Sequence, residues 1–333
     1  MNAAAKEPKT SNPKRAIVLA LIVLAVIGIG IAFFIQRQRG DQQPKVVHLG
    51  SFSVAVDYAP YLIAKRKGWF DEAMKAKGYS VEYATFQSLP PINESLATGR
   101  LDGFVAAEPP VIVGNAAGIS SRIVAISCSL VQEILVPTKS IINAPGDLKG
   151  KKVAVLAGTS SHYGLFKTIE AAGLAHSDIE VIDMVPPDAK NAFETGKVDA
   201  WAVWPPFVEQ EEIAGTGRVL PSGDAHIQSI LAMRGGFVND HADLVRDLVK
   251  VMATTKQWMV AHEDEAIQLV AQELQIPIAV VKKAWPEHNW KAELTPQVTA
   301  DIQAKADFLF KEKFIRVPVD ASKLVDSSFQ AQQ

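Results

Sequence analysis

One stretch of this chain is written twice. Residues 88–111 read SLPPINESLATGRLDGFVAAEPPV and residues 185–208 read VPPDAKNAFETGKVDAWAVWPPFV. At an offset of 97 residues, Pro90, Thr98, Gly99, Asp102 and Pro109 fall on Pro187, Thr195, Gly196, Asp199 and Pro206. Each copy predicts a helix that starts after a proline pair and stops at Thr-Gly, where the glycine takes the left-handed conformation a helix end needs. A short apolar strand follows. The strands run into Glu108-Pro109-Pro110 and Trp204-Pro205-Pro206, and proline's missing N–H ends sheet pairing there. Two α/β units with proline-edged strand ends are therefore expected to face each other across a crevice, the usual place for a small ligand.

The flanking sequence completes each unit. KVVHLG at 45–50 is a strand, residues 59–67 a helix with Pro60 in its first turn, and residues 80–86 a strand leading into the first copy. Residues 152–156, 165–172 and 179–184 give strand, helix and strand before the second copy. This alternation favours largely parallel sheets flanked by helices. From Asp240 onward the pattern turns helical, over 242–260, 263–274, 278–285 and 295–310, with Thr295-Pro296 as cap and first turn. Having no sheet of its own, this tail is expected to return to the first lobe. That lobe then comprises 45–130 with 230–333, and the second comprises 131–229, with hinge strands near 127–131 and 226–232.

Composition narrows the class. With 333 residues, 48% hydrophobic and 21% charged, the chain is globular material for two lobes, neither disordered nor fibrous. The first 44 residues hold six basic and two acidic side chains, leaving a body with 28 basic and 34 acidic, which argues against a nucleic-acid partner. The lone Cys128 excludes an intramolecular disulfide and reads as a small apolar residue at a strand end. Residues 16–35 carry no charge and follow Lys6, Lys9, Lys14 and Arg15. At 1.5 Å per residue they reach roughly 30 Å, enough to cross a bilayer. They are read as a transmembrane anchor preceded by a cytoplasmic residue 1–15 segment and followed by a 36–44 linker, the alternative being a cleaved signal. Either way the body is exported, because the basic flank holds the N-terminus in the cytoplasm.

The candidate site lies in loops. Gly158, Thr159, Ser160, Ser161 and His162 lie between a strand and a helix, where free N–H groups, hydroxyls and the positive helix end make an anion seat. A plain N-cap is the competing reading. Gln87 and Ser88 begin a helix in the facing unit. Trp204, Phe52 and Tyr58 are either core or the apolar walls of a ligand site. Glu108 either faces solvent, pairs with a basic side chain, or holds the cationic end of a zwitterionic ligand. Asp188 reads as a helix cap, and Asp102 and Asp199 as structural. The seven histidines lack ligand spacing, and no nucleophile elbow, phosphate loop or dinucleotide fingerprint is present. No catalytic residue, metal or cofactor is expected.

Several motifs together resemble the substrate-binding proteins of bacterial ABC importers for sulfonates, taurine and nitrate. They are Tyr58 to Phe70 (YAPYLIAKRKGWF), Asp147 to Val155 (DLKGKKVAV) with Gly158 to His162, Pro187-Asp-Ala189 with Gly196 to Trp201, Ala306 to Leu309 and Val325 to Phe329. The resemblance spans nearly the whole exported body. It implies a two-lobed periplasmic binding protein fold of type II that closes on its ligand and presents it, as a monomer, to a permease and ATPase complex. By the same similarity an oxyanion rests on Thr159, Ser160, Ser161 and His162, with Gln87 and Ser88 opposite and Trp204 over the organic tail. Relatives often carry an acidic residue between the tryptophan and the proline, whereas this chain has Trp204-Pro205-Pro206. An aliphatic sulfonate or taurine-like ligand is expected. Nitrate or a thiamine-precursor pyrimidine, an enzyme on the same scaffold, and a membrane-tethered sensor are the alternatives.

Overall fold

The computed structural model describes residues 45–52, 55–86, 89–221 and 225–330. The chain divides into a unit of residues 1–45 and a compact unit of residues 46–333 that holds the architecture below. The expected anchor at 16–35 lies outside the described residues, among which no helix is long and apolar enough to cross a membrane.

Ten strands follow in chain order among the described residues: β1 (Lys45–Phe52), β2 (Tyr79–Phe86), β3 (Gly103–Ala107), β4 (Ser121–Val131), β5 (Glu133–Pro137), β6 (Lys152–Val155), β7 (Glu180–Asp183), β8 (Ala200–Val203), β9 (Gly217–Leu220) and β10 (His226–Arg234). They form two five-stranded sheets with one shared plan, β2-β1-β3-β10-β4 and β7-β6-β8-β5-β9. β1 with β3, and β6 with β7 and β8, pair in parallel, as the strand-helix alternation predicts. The fourth strand of each sheet runs the other way: β10 is antiparallel to β3 and β4, and β5 to β8 and β9. These are the strands on which the chain changes sheets. β5 enters the second sheet directly after β4 and β10 re-enters the first after β9, so neither has the helical crossover that a parallel strand requires.

The two copies of the repeat have the same local structure. Their helices, Leu89–Ala97 and Pro186–Glu194, end at Gly99 (φ 70°) and Gly196 (φ 69°). Thr98 and Thr195 each donate a hydroxyl hydrogen to the carbonyl four residues back, at 2.8 and 2.6 Å. Asp102 then accepts the main-chain N–H of His48 at 3.0 Å, and Asp199 that of Lys152 at 2.8 Å, so each ties its strand to the neighbouring parallel strand. Both strands end immediately before the predicted residues, at Ala107 and Val203.

The sheet changes lie next to the expected hinge strands, at Gln132 between β4 and β5 and again between the end of β9 at Leu220 and the start of β10 at His226. The two passages touch: the Gln132 N–H donates to the Ala225 carbonyl at 2.8 Å. The helical tail is less partisan than expected. Helices Ala242–Ala261 and Glu263–Leu274 cover the Ala59–Arg66 helix of the first sheet, while Ile278–Ala284 packs on Phe207–Ala214 beside the second. Helix Pro296–Lys311 contacts both Pro109–Ala116 and Ser160–Ala171. One buried apolar cluster accordingly runs from Phe104 and Ile230 through Ile302 and Ala306 to Val153 and Leu165.

Candidate functional site

Parallel strands of a sheet all deliver their carboxyl ends to one edge, and here β1, β3, β6 and β8 open onto one cavity of about 40 Å³. Its walls are Asp57 and Tyr58 after β1, Ala107, Pro109 and Pro110 at the end of β3, Gly158 to Ser161 after β6, Trp204 after β8, and Ile227 at the start of β10. Both sheets therefore contribute. At roughly 10–15 Å³ per water-sized group, the space suits a compact ligand.

The turn after β6 is built by its own side chains. Gly158 has φ 74°, a conformation that side-chain-bearing residues rarely adopt, and a Cβ there would lie in van der Waals contact with the Phe314 ring at 3.4 Å. Thr159 is the extended N-cap of the Ser160–Ala171 helix. Its hydroxyl accepts the His162 N–H at 3.3 Å and donates to the Leu156 carbonyl at 2.7 Å. His162 Nδ1 accepts the Gly158 N–H at 3.2 Å, while its ring sits among Phe166, Phe308 and Phe314 at centroid distances of 4.6, 5.5 and 5.4 Å. Burial in that aromatic nest lowers its pKa to about 4, so it is a neutral acceptor at pH 7. His162 is not among the cavity's lining residues, and the Thr159 hydroxyl is already paired.

Ser160 and Ser161 differ as well. Ser160 Oγ donates to Glu108 Oε2 at 2.9 Å, a bond that joins the end of β3 to the helix after β6. Ser161 lines the cavity, and its buried Oγ has no hydrogen-bond partner among the described residues. Beside it lie first-turn N–H groups, which have no intrahelical acceptor. An oxyanion is what such a corner attracts.

Glu108 pairs with a basic side chain, the second of the three roles its position allows. It is fully buried, forms an ion pair with Lys305 from the Pro296–Lys311 helix, and accepts the Gln228 N–H at 3.3 Å. Lys305 is buried too, its ammonium 5.4 Å from the Tyr163 ring centroid. Tyr58 and the half-buried Trp204 both line the cavity, one from each sheet. β1 ends at Phe52, whose side chain, like Gln87 and Ser88, falls outside the description.

Sequence reasoning missed two residues. Asp57, next to Tyr58, is buried and lines the cavity. Its Oδ2 accepts the Ser229 hydroxyl, its Oδ1 has no partner among the described residues, and burial raises its pKa to about 6, with the nearby Glu108 charge adding to the rise. An acidic residue directly before a proposed wall aromatic was the available signal. Lys305 carried none, because its partner lies far away in sequence and its helix reads as an ordinary amphipathic one.

The pattern of the NMT1-like family matches residues 40–275. This chain belongs to that family. Over 323 residues it is 32% identical to a Bacillus subtilis (strain 168) protein described as an aliphatic sulfonates-binding protein, covering 95% of each. It is 25% identical over 274 residues to the taurine-binding periplasmic protein of Escherichia coli (strain K12), covering 77% of this chain and 85% of that one. Among solved structures, the periplasmic aliphatic sulphonate binding protein SsuA from Escherichia coli superposes with a TM-score of 0.76 at 24% identity, covering 87% of this chain and 94% of SsuA. The alkanesulfonate-binding SsuA from Xanthomonas axonopodis pv. citri, bound to MOPS, gives 0.73 at 24% identity, covering 85% and 99%. These likenesses place the NMT1-like body in the two-lobed periplasmic binding protein fold.

Proposed function

We propose that this chain is an extracytoplasmic solute-binding receptor of an ABC importer, which takes a compact organic sulfonate between its two lobes and delivers it to the permease. The observation that carries this reading is the unpartnered Ser161 hydroxyl at a helix N-terminus, on the wall of a cavity shared by both sheets. The relatives described as sulfonate- and taurine-binding proteins support the same reading. Of the four residues expected to seat the oxyanion, Ser161 with the first-turn amides is the best placed. Thr159 and His162 shape the turn, and Ser160 holds Glu108. Trp204 and Tyr58 then wall the organic part.

The lobes are taken as 45–130 with 230–333 and 131–229, flexing at the paired passages around Gln132 and Ala225. A ligand favours closure only through contacts that the open state lacks, and a cavity lined from both sheets supplies such contacts. Retention of residues 16–35 as an inner-membrane anchor keeps the receptor beside its permease at high effective concentration. Binding without turnover is part of the proposal.

Replacing Ser161 with alanine is expected to weaken sulfonate binding by roughly 1–3 kcal/mol, since a ligand oxygen loses its donor. Titration calorimetry of the purified chain with ethanesulfonate and 2-aminoethanesulfonate measures this. Unchanged affinity for both would remove the assignment. Native mass spectrometry of the freshly purified chain then names the ligand class from the bound mass.

A further inference from the structure

We propose that Asp57 is a selectivity filter, its unpaired carboxylate oxygen accepting a hydrogen from a cationic group on the ligand, so that the cavity takes a compact zwitterion and disfavours the simple anion of similar size. This rests on the anion seat proposed above and adds a second pole to it. Two residues that line the one cavity each keep a buried oxygen without a hydrogen-bond partner among the described residues, Ser161 Oγ from the second sheet and Asp57 Oδ1 from the first. A buried carboxylate oxygen without a donor is costly, which makes it a natural place for a ligand's N–H.

Asp57 is also held in position. Ser229 donates to its other oxygen, and the Ser127 hydroxyl donates to its main-chain carbonyl at 2.7 Å. Charge decides what kind of donor fits. Glu108, the nearby carboxylate, already has Lys305 as counter-ion, and none of the described lining residues is Lys, Arg or His. With Asp57 ionised, a simple sulfonate meets one unbalanced negative charge in a low-dielectric space, whereas a ligand carrying an ammonium group balances it.

The groups facing Asp57 are Tyr58 on its own turn, Cys128 on β4, Ser229 on β10, and Glu108 after β3 with its partner Lys305. Burial pushes Tyr58 and Cys128 far up, so both stay neutral across the working range. Asp57, raised to about 6, is ionised at pH 7.5 and protonated at pH 5. Acidification therefore removes the partner of a cationic donor and relieves the repulsion of a simple anion.

The test is titration calorimetry on the purified full chain, wild type and Asp57→Asn, at pH 7.5 and 5.0. Two matched pairs are used, 2-aminoethanesulfonate with ethanesulfonate and 3-aminopropionate with propionate. At pH 7.5 the wild type is expected to prefer the amino member at least tenfold. Asp57→Asn, which keeps the acceptor for Ser229, is expected to abolish that preference, and pH 5.0 to shrink it severalfold in wild type alone for the sulfonate pair, whose sulfonate groups stay ionised at both pH values. Equal or tighter binding of the plain anion at pH 7.5, or an unchanged ratio in Asp57→Asn, overturns the filter. If the variant does not fold, the pH arm decides, and a wild-type ratio for the sulfonate pair that is constant from pH 7.5 to 5.0 overturns it. Amino preference in the carboxylate pair without binding of either sulfonate sinks the sulfonate reading and leaves the filter standing. Absence of binding in both pairs counts against the filter as well.

Discussion

His162 shapes the turn at the candidate site without lining its cavity. Its Nδ1 can accept the Gly158 N–H only while the ring is neutral, and the ring stays neutral because it is buried among three phenylalanines. The pKa falls from 6.5 to about 4 on folding, so between those values the unfolded chain carries a proton that the folded chain does not. The stability this contributes is complete above pH 6.5 and is lost as pH falls towards 4. His288, fully buried, shifts to about 4 for the same reason. Asp57, Glu133 and Glu209, raised to about 6, 7 and 8, act in the opposite direction, so the net pH profile of the wild type hides each contribution. A difference experiment isolates one. His162→Leu fills the aromatic nest and cannot titrate; on going from pH 7.5 to 5.0 it should lose about 1–2 kcal/mol less unfolding free energy than wild type. Urea denaturation at both pH values measures this, and parallel losses would show that His162 is charged in the folded state.

Asp102 and Asp199 were legible as structural from the repeat, but their task was not. Each carboxylate reaches from the start of its own strand to a main-chain N–H of the adjacent parallel strand, so the duplication preserves a clamp as well as a helix end. Asp199→Ala should cost about 1.5–3 kcal/mol in urea unfolding, the value of one charge-assisted hydrogen bond. Asp102→Ala should cost more, because Asp102 also pairs with Arg234 at 2.7 Å and is the more buried. Equal costs would mean that the Arg234 pair adds nothing. The helix ends, the proline-edged strands and the Thr159 cap could be read from sequence because each is decided within a few residues by backbone sterics. The antiparallel sense of β5 and β10 could not, because a strand's direction follows the route by which the chain returns to a sheet. For the same reason the site was only half visible. The turn at 158–162 announces itself locally, whereas the division of labour within it depends on Glu108, Lys305 and the Phe308 and Phe314 rings, which arrive from distant segments.

Helix Pro296–Lys311 draws those segments together. It lies against helices of both sheets, and through Lys305 it supplies the counter-charge for Glu108, which in turn accepts the Ser160 hydroxyl. Glu108, Lys305 and Ser160 are all buried, so the polar chain works with little screening by solvent. Removing one member of such a set leaves an uncompensated charge, and removing the charges together need not. Lys305→Met retains much of the side-chain bulk but strands the Glu108 carboxylate, and it is expected to destabilise the protein by about 3–5 kcal/mol. Glu108→Gln in the same chain should restore a large part of that, because the amide carbonyl can still accept from Ser160 without needing a counter-ion. Urea denaturation of the wild type, the two single variants and the double variant closes the cycle. A coupling below about 0.5 kcal/mol would mean that the tail helix is anchored by apolar packing alone, with its buried ion pair irrelevant to how the two lobes are joined.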